Sequence, residues 1–186
     1  MDDLEQCGYV RSYVNKYAAY KPKMYQLVDP FLLFAFRFMD GPQAVANWTS
    51  YSGTQAYYAW RGNAFELACT LHTAQIRHAL GVLGVEAISF PWTSWSTSPG
   101  VQIGMVIERA DNVTNICEMK FTDDVYAMRE ADERELRRKV EVFREESRTP
   151  HALLETVVTV NGLRRNKHSQ SVASVVDLDD LFVAPL

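Results

Sequence analysis

The chain has 186 residues, 47% apolar and 12% aromatic, enough for one substantial core or one core with a small appendage. Its formal net charge is -4 with 23% charged residues, which disfavours a wide phosphate-binding surface but leaves room for a local basic face. Cys7, Cys69 and Cys117 are far apart, odd in number and without metal-ligand spacing, so they read as small buried apolar residues in a reducing compartment.

The opening MDDLEQCG is acidic and polar and shows no signal-peptide pattern, so a cytoplasmic location is expected. Residues 1–29 hold two strand-like runs, YVRSYV (Tyr9 to Val14) and MYQLV (Met24 to Val28), around a basic loop, NKYAAYKPK. That predicts a hairpin too small to be stable alone. Asp29 followed by Pro30 predicts a helix start, with Asp as cap and Pro in the first turn. The helix through FLLFAFRFM (Phe31 to Met39) is apolar almost all round and is expected to be buried. Its apolar run is far short of the ~20 residues of a membrane span, so no membrane partner is expected. Asp40-Gly41-Pro42 stops it.

Residues 43–62 are aromatic-rich and give no clear period. A helix follows, with Asn63 as its expected cap and Phe65, Ala68, Cys69, His72, Ile76 and Leu80 on one face, until Gly81 and Gly84 end it. His72 reads as a packed core histidine, and Trp60, Trp92 and Trp95 as packing residues rather than base-stacking platforms. EAISF (Glu86 to Phe90) reads as a strand and PWTSWSTSPG as a loop.

Val101–Glu108 and Val113–Phe121 are two period-2 runs around Ala110-Asp111-Asn112, a hairpin whose last loop residue must be left-handed, which Asn tolerates. That loop pairs Arg109 with Val113, and counting back sets Gly104 opposite Glu118 and Gln102 opposite Lys120. A charged helix is expected over about Ala131–Glu146, with a stripe of Leu136, Val140 and Phe143 and an otherwise solvated face. Leu153–Val160 and SVASVVDL read as strands, and Asp177–Phe182 as a closing helical turn. The order after residue 60 predicts an α/β fold with a mixed sheet flanked by helices.

Glu118 and Lys120 lie two apart and share one strand face, while Met119 turns to the core. A carboxylate and a lysine so placed suit metal-assisted phosphodiester cleavage. Two carboxylates from neighbouring strands hold Mg²⁺, and the lysine stabilises charge or orients water. The pair alone is also common on solvated sheets. Glu66 is open to two readings: a metal ligand, or the third residue of a capping box closed by Asn63.

The segments WRGNAFELACTLHTAQIRHALGV, VQIGMVIERADNVTNICEMKF, LLETVVTVNGL and DLDDLF together resemble the C-terminal region of prokaryotic AAA-type ATPases whose tail is a PD-(D/E)XK nuclease-like domain. The matching residues are Trp60, Gly62, Phe65 and Glu66, then Gln102-Ile103-Gly104, then Cys117-Glu118-Met119-Lys120. The resemblance implies a restriction-endonuclease-like fold over 60–186. It implies a winged-helix remnant with a buried linking helix over 1–59, and site residues Glu118, Lys120, Glu66 and Gln102, with Glu118 and Glu66 as Mg²⁺ ligands. It also implies an ATPase module elsewhere, since no Walker-type loop, and so no ATP site, occurs here. Gly104 stands where the family carries its metal-binding Asp. Glu108 shares that strand face but lies roughly 13 Å along it, too far to replace the ligand. Three functions follow as expectations: a degenerate nuclease-fold domain with a DNA-binding or structural role, an active Mg²⁺-dependent nuclease, or a protein-interaction or dimerisation module. The basic cluster Arg164–His168 and the loop around Lys16, Lys21 and Lys23 keep DNA as a partner if they share a face with Lys120.

Overall fold

The computed structural model describes residues 1–14, 16–17, 23–40, 45, 47–94 and 96–185. The expectations for Lys21, Gly41, Pro42 and Trp95 fall outside the described residues.

A short helix α1 (Asp2–Gln6) leads into an antiparallel hairpin of β1 (Val10–Val14) and β2 (Lys23–Leu27). Tyr17 ties this hairpin region to the body. Its ring stands edge-on to Phe143 at 5.6 Å, and its hydroxyl donates to Glu108. Helix α2 (Pro30–Phe38) begins as predicted: the Asp29 carboxylate accepts from Leu32 N–H at 2.7 Å, and Pro30 fills the first turn. The expected burial of α2 is a correction. Only Phe38 is buried, while Phe31 is 66% and Phe36 61% exposed. The helix lies at the edge of the body and packs one side only, so an all-round apolar surface leaves aromatic rings in water.

After α3 (Trp48–Tyr51), helix α4 runs from Gln55 to Leu71 and crosses residue 60. Its cap is Thr54, whose hydroxyl accepts from Tyr57 N–H at 3.2 Å. Asn63 is therefore an interior residue, and the capping-box reading of Glu66 is overturned. The helix breaks at His72 and resumes as α5 (Thr73–Ala79), so the predicted single helix is two. His72 is half-buried, its Nδ1 2.8 Å from the Ala68 carbonyl, rather than a core residue.

The body is one five-stranded sheet in the order β3-β4-β5-β7-β9, from β3 (Ala87–Thr93), β4 (Gln102–Arg109), β5 (Val113–Lys120), β7 (Ala152–Thr159) and β9 (Val172–Val176). The first two pairings are antiparallel and the last two parallel, the mixed α/β sheet expected. Short β6 (Tyr126–Ala127) and β8 (Leu163–Arg164) pair apart from it, and the long helix α6 (Glu130–Ser147) spans the gap between β6 and β7. Single turns of 3-10 helix lie at Lys167–Ser169 and Asp179–Phe182.

Strand alternation sends side chains to two cores. Val106, Ile116 and Val157 meet Leu136 and Phe143 of α6 on one face. Met105, Ile107, Cys117 and Val158 meet Phe65 and Cys69 of α4 and Ile76 of α5 on the other. Two of the three cysteines are thus buried as expected; Cys7 is exposed, a correction. Trp92 is 2% exposed and packs on Phe143, while Trp60 packs on Phe34 and Phe38.

Candidate functional site

Asn112 takes φ 63°, the left-handed loop residue the hairpin required. The β4–β5 register follows the predicted count, from Glu108 opposite Thr114 to Met105 opposite Cys117. There the ladder stops, so the expected facing of Gly104 with Glu118 and of Gln102 with Lys120 is a correction. The cause is a bulge. On the other edge of β4, Phe90 pairs with Val106 but Trp92 with Ile103, so β4 carries one extra residue around Gly104. Ile103 and Val106, three apart, consequently reach the same core. A Cβ built on Gly104 would fall on the Glu66 Oε1 and lie 2.8 Å from its Cδ and 2.5 Å from Met119 Cε. Position 104 is therefore aimed at α4, and a side chain there would have to move the flexible ends of Glu66 and Met119.

Beyond the last β4–β5 pair the strands part, and side chains from both faces of the sheet reach one cavity of about 160 Å³. Glu66 of α4, Gln102, Gly104, Cys117, Glu118, Met119 and Lys139 of α6 line it. Glu66, Gln102 and Glu118 are brought together as expected, and Met119 packs against the α4 core. Glu118 is held on both oxygens: Lys120 Nζ is 2.9 Å from Oε1 and Lys139 Nζ 2.7 Å from Oε2. The side chains of Glu118 and Lys139 are only 13% and 15% exposed, that of Lys120 33%.

Lys139 is hidden in the sequence by the polar run of α6, which reads as a solvated face. The signal was there in the spacing: Lys139 lies three residues after Leu136 and four before Phe143, on the stripe that turns inward.

Burial alone would raise the Glu118 carboxyl, but the Lys139 and Lys120 ammoniums outweigh it and hold it below its ordinary value. Glu66 moves the other way. Burial of its carboxylate and the Glu118 charge raise it, and Lys139 offsets only part. Glu66 is exposed as a residue, yet its carboxyl end is tucked against β4, and the upward direction follows from that end. Cys117, wholly buried beside this cavity, has its thiol pushed up and inert.

A sign follows for stability. A raised carboxylate costs nothing while protonated in both states, and its ionisation penalises the fold as pH rises past the ordinary 4.5. Glu66→Gln is therefore expected to melt higher than wild type at pH 7, with the gap closing as pH falls below 4.5. Melting curves at the two pH values check this; a gap unchanged by pH would contradict it.

The residues present do not fit Mg²⁺. That ion demands near-octahedral oxygen ligands. Here Gly104 supplies none, both Glu118 oxygens already face ammonium groups, and Lys139 lines the same cavity as the two carboxylates. No group of three or more His, Cys, Asp or Glu side chains placed to hold a metal occurs among the described residues.

The basic clusters diverge. Lys16 pairs with Glu108 at the turn end of β4, roughly 20 Å along the strands from Lys120. Lys23 pairs with Glu5 at 3.0 Å. Arg165 donates to the Ser169 and Val172 carbonyls and His168 lies against Glu133. Arg164 and Lys167 remain exposed, just past the strand ends that carry Lys120. No helix among the described residues is long and apolar enough to cross a membrane.

The fold and site define a mixed α/β domain with a paired carboxylate–lysine cluster where a central hairpin splays. No family model matches the chain, and no curated protein matches it either. A solved structure titled "Crystal Structure of Protein of Unknown Function AF1548" is similar at 14% identity and a TM-score of 0.39, covering 59% of this chain. This chain spans 63% of that protein's length.

Proposed function

We propose that this chain is the nuclease-like region of a prokaryotic AAA-type ATPase, that its centre has lost metal-dependent cleavage, and that it keeps a DNA-binding or structural role. The observation that carries the reading is Glu118, the acid of the Glu-x-Lys pair, clamped on both oxygens by lysines beside a glycine. Such a carboxylate is poorly placed to ligate a hard dication, and a nuclease of this type has no nucleophile of its own. Arg164 and Lys167 give a small basic patch at the Lys120 end, suited to limited rather than extensive phosphate contact.

One observation favours a protein-interaction role instead. A groove of about 780 Å³ runs between α2 and α4, lined by Phe31, Leu33, Phe34 and Leu67, with Arg37 the one charged side chain among the described residues that line it. Leu67 lines this groove and its neighbour Glu66 the carboxylate–lysine cavity, so α4 contributes to both, and an exposed apolar groove suits an interaction site.

One assay separates the readings. Duplex and single-stranded DNA are incubated with the protein in Mg²⁺ or Mn²⁺, with binding followed by fluorescence anisotropy at low salt. The expected result is no nicking above background and weak, salt-sensitive binding that falls in Arg164→Ala with Lys167→Ala. Cleavage that disappears in Glu118→Gln would overturn the degenerate reading. Absence of any DNA binding would leave the interaction role in its place. Gly104→Asp alone is not expected to restore cleavage, because the new side chain must first displace the Glu66 carboxylate.

A further inference from the structure

We propose that Lys139 is the resident cation of this centre: paired with Glu118 in the cavity that Glu66 also lines, its ammonium takes the place a divalent metal would take. The inference rests on the nuclease-like reading above and adds to it a named occupant and a named cause for the lost metal.

Three independent features converge on it. First, Lys139 stands on the inward stripe of α6 with its side chain 15% exposed, and its Nζ lies 2.7 Å from Glu118 Oε2. A lysine turned inward is costly unless a carboxylate meets it, so its position demands this partner. Second, with glycine at 104 the Glu66 carboxylate lies over the spot where a side chain at that position would begin. Third, the charges balance. Glu66, Glu118 and Lys139 line one cavity and Lys120 pairs with Glu118 beside it, two carboxylates against two ammoniums, leaving no net negative charge to draw a dication. A fixed ammonium and a metal compete for one place, and the ammonium is covalently present at all times.

The test removes the charge and keeps the stem. Lys139→Met and wild type are titrated with Mn²⁺ at low ionic strength, with free Mn²⁺ read by electron paramagnetic resonance. The expected result is negligible binding by wild type, and affinity about tenfold or more higher in Lys139→Met. That gain should vanish in Lys139→Met with Glu118→Gln, and be absent in Lys139→Arg, which keeps a cation. A folded Lys139→Met with wild-type Mn²⁺ affinity overturns the proposal, as does a gain that survives Glu118→Gln. Should the Met variant fail to fold, the wild-type ammonium resonance, assigned by its loss in Lys139→Arg, decides instead: slow exchange with water supports the pairing and a solvent-averaged signal overturns it. DNA cleavage by wild type would sink the degenerate reading. An unchanged Lys139→Met would sink only the resident cation.

Discussion

Phe143→Ala is expected to lower stability by about 3–5 kcal/mol, a large part of what a domain of this size has. Phe143 is 0% exposed, and its ring meets Trp92 edge-on at 5.2 Å and Tyr17 edge-on at 5.6 Å. Truncation leaves a cavity between α6 and the sheet and removes both aromatic contacts, each worth roughly 0.5–1.5 kcal/mol beyond area. Urea unfolding of wild type, Phe143→Ala and Phe143→Leu gives the measure, with Leu recovering most of the loss. The melting temperature should fall by roughly 10 °C in the Ala variant. A change below about 0.5 kcal/mol would mean that α6 is not docked through this ring. The consequence reaches the site, because α6 also carries Lys139 and delivers it to Glu118 only while Phe143 and Leu136 hold the helix down.

What could be read from the residues alone divides along physical lines. The hairpin was legible because period-2 alternation and one left-handed Asn fix a register locally. The bulge at Gly104 was not, since it depends on how β3 pairs with the far edge of β4, a contact between distant segments. The start of α4 was hidden by Gly62 and by the aromatic run before it, where tertiary packing of Trp60 against Phe34 and Phe38 overrides weak local preference. The exposure of α2 was hidden by composition, because an apolar helix at an edge has the same sequence as one in a core. Glu66 and Glu118 were both placed on the candidate site, yet their meeting partner was lost among the charges of α6. Lys139 differs from Arg134 or Arg137 only in where the helix turns it. The same feature explains the site's balance: a stripe position given to lysine rather than leucine brings a fixed charge to the end of a parted ladder.

Glu118→Ala is expected to be the costliest change at the site. Removing one member of a largely buried ion pair typically costs 3–5 kcal/mol, because the partner is left charged and unpaired. Lys120 is a third exposed and can turn to water, and Lys139 retains the Glu66 charge nearby, so the lower end, about 3 kcal/mol, is expected. The pH dependence identifies the cause. The Glu118 carboxyl is held below its ordinary 4.5, so its contribution is complete above that value and fades as pH falls through the lowered one. The gap between wild type and Glu118→Ala should therefore be full at pH 7 and narrow in acid below 4.5. Lys139→Met behaves differently, since it leaves two carboxylates facing each other and acid relieves their repulsion within the variant itself. A cycle with both changes should cost little more than Glu118→Ala alone, because the unpaired ammonium is gone. Urea unfolding of the four proteins at pH 7 and pH 4 checks each step. Additive costs, or a Glu118→Ala penalty that does not change with pH, would show that the two side chains do not act as a pair.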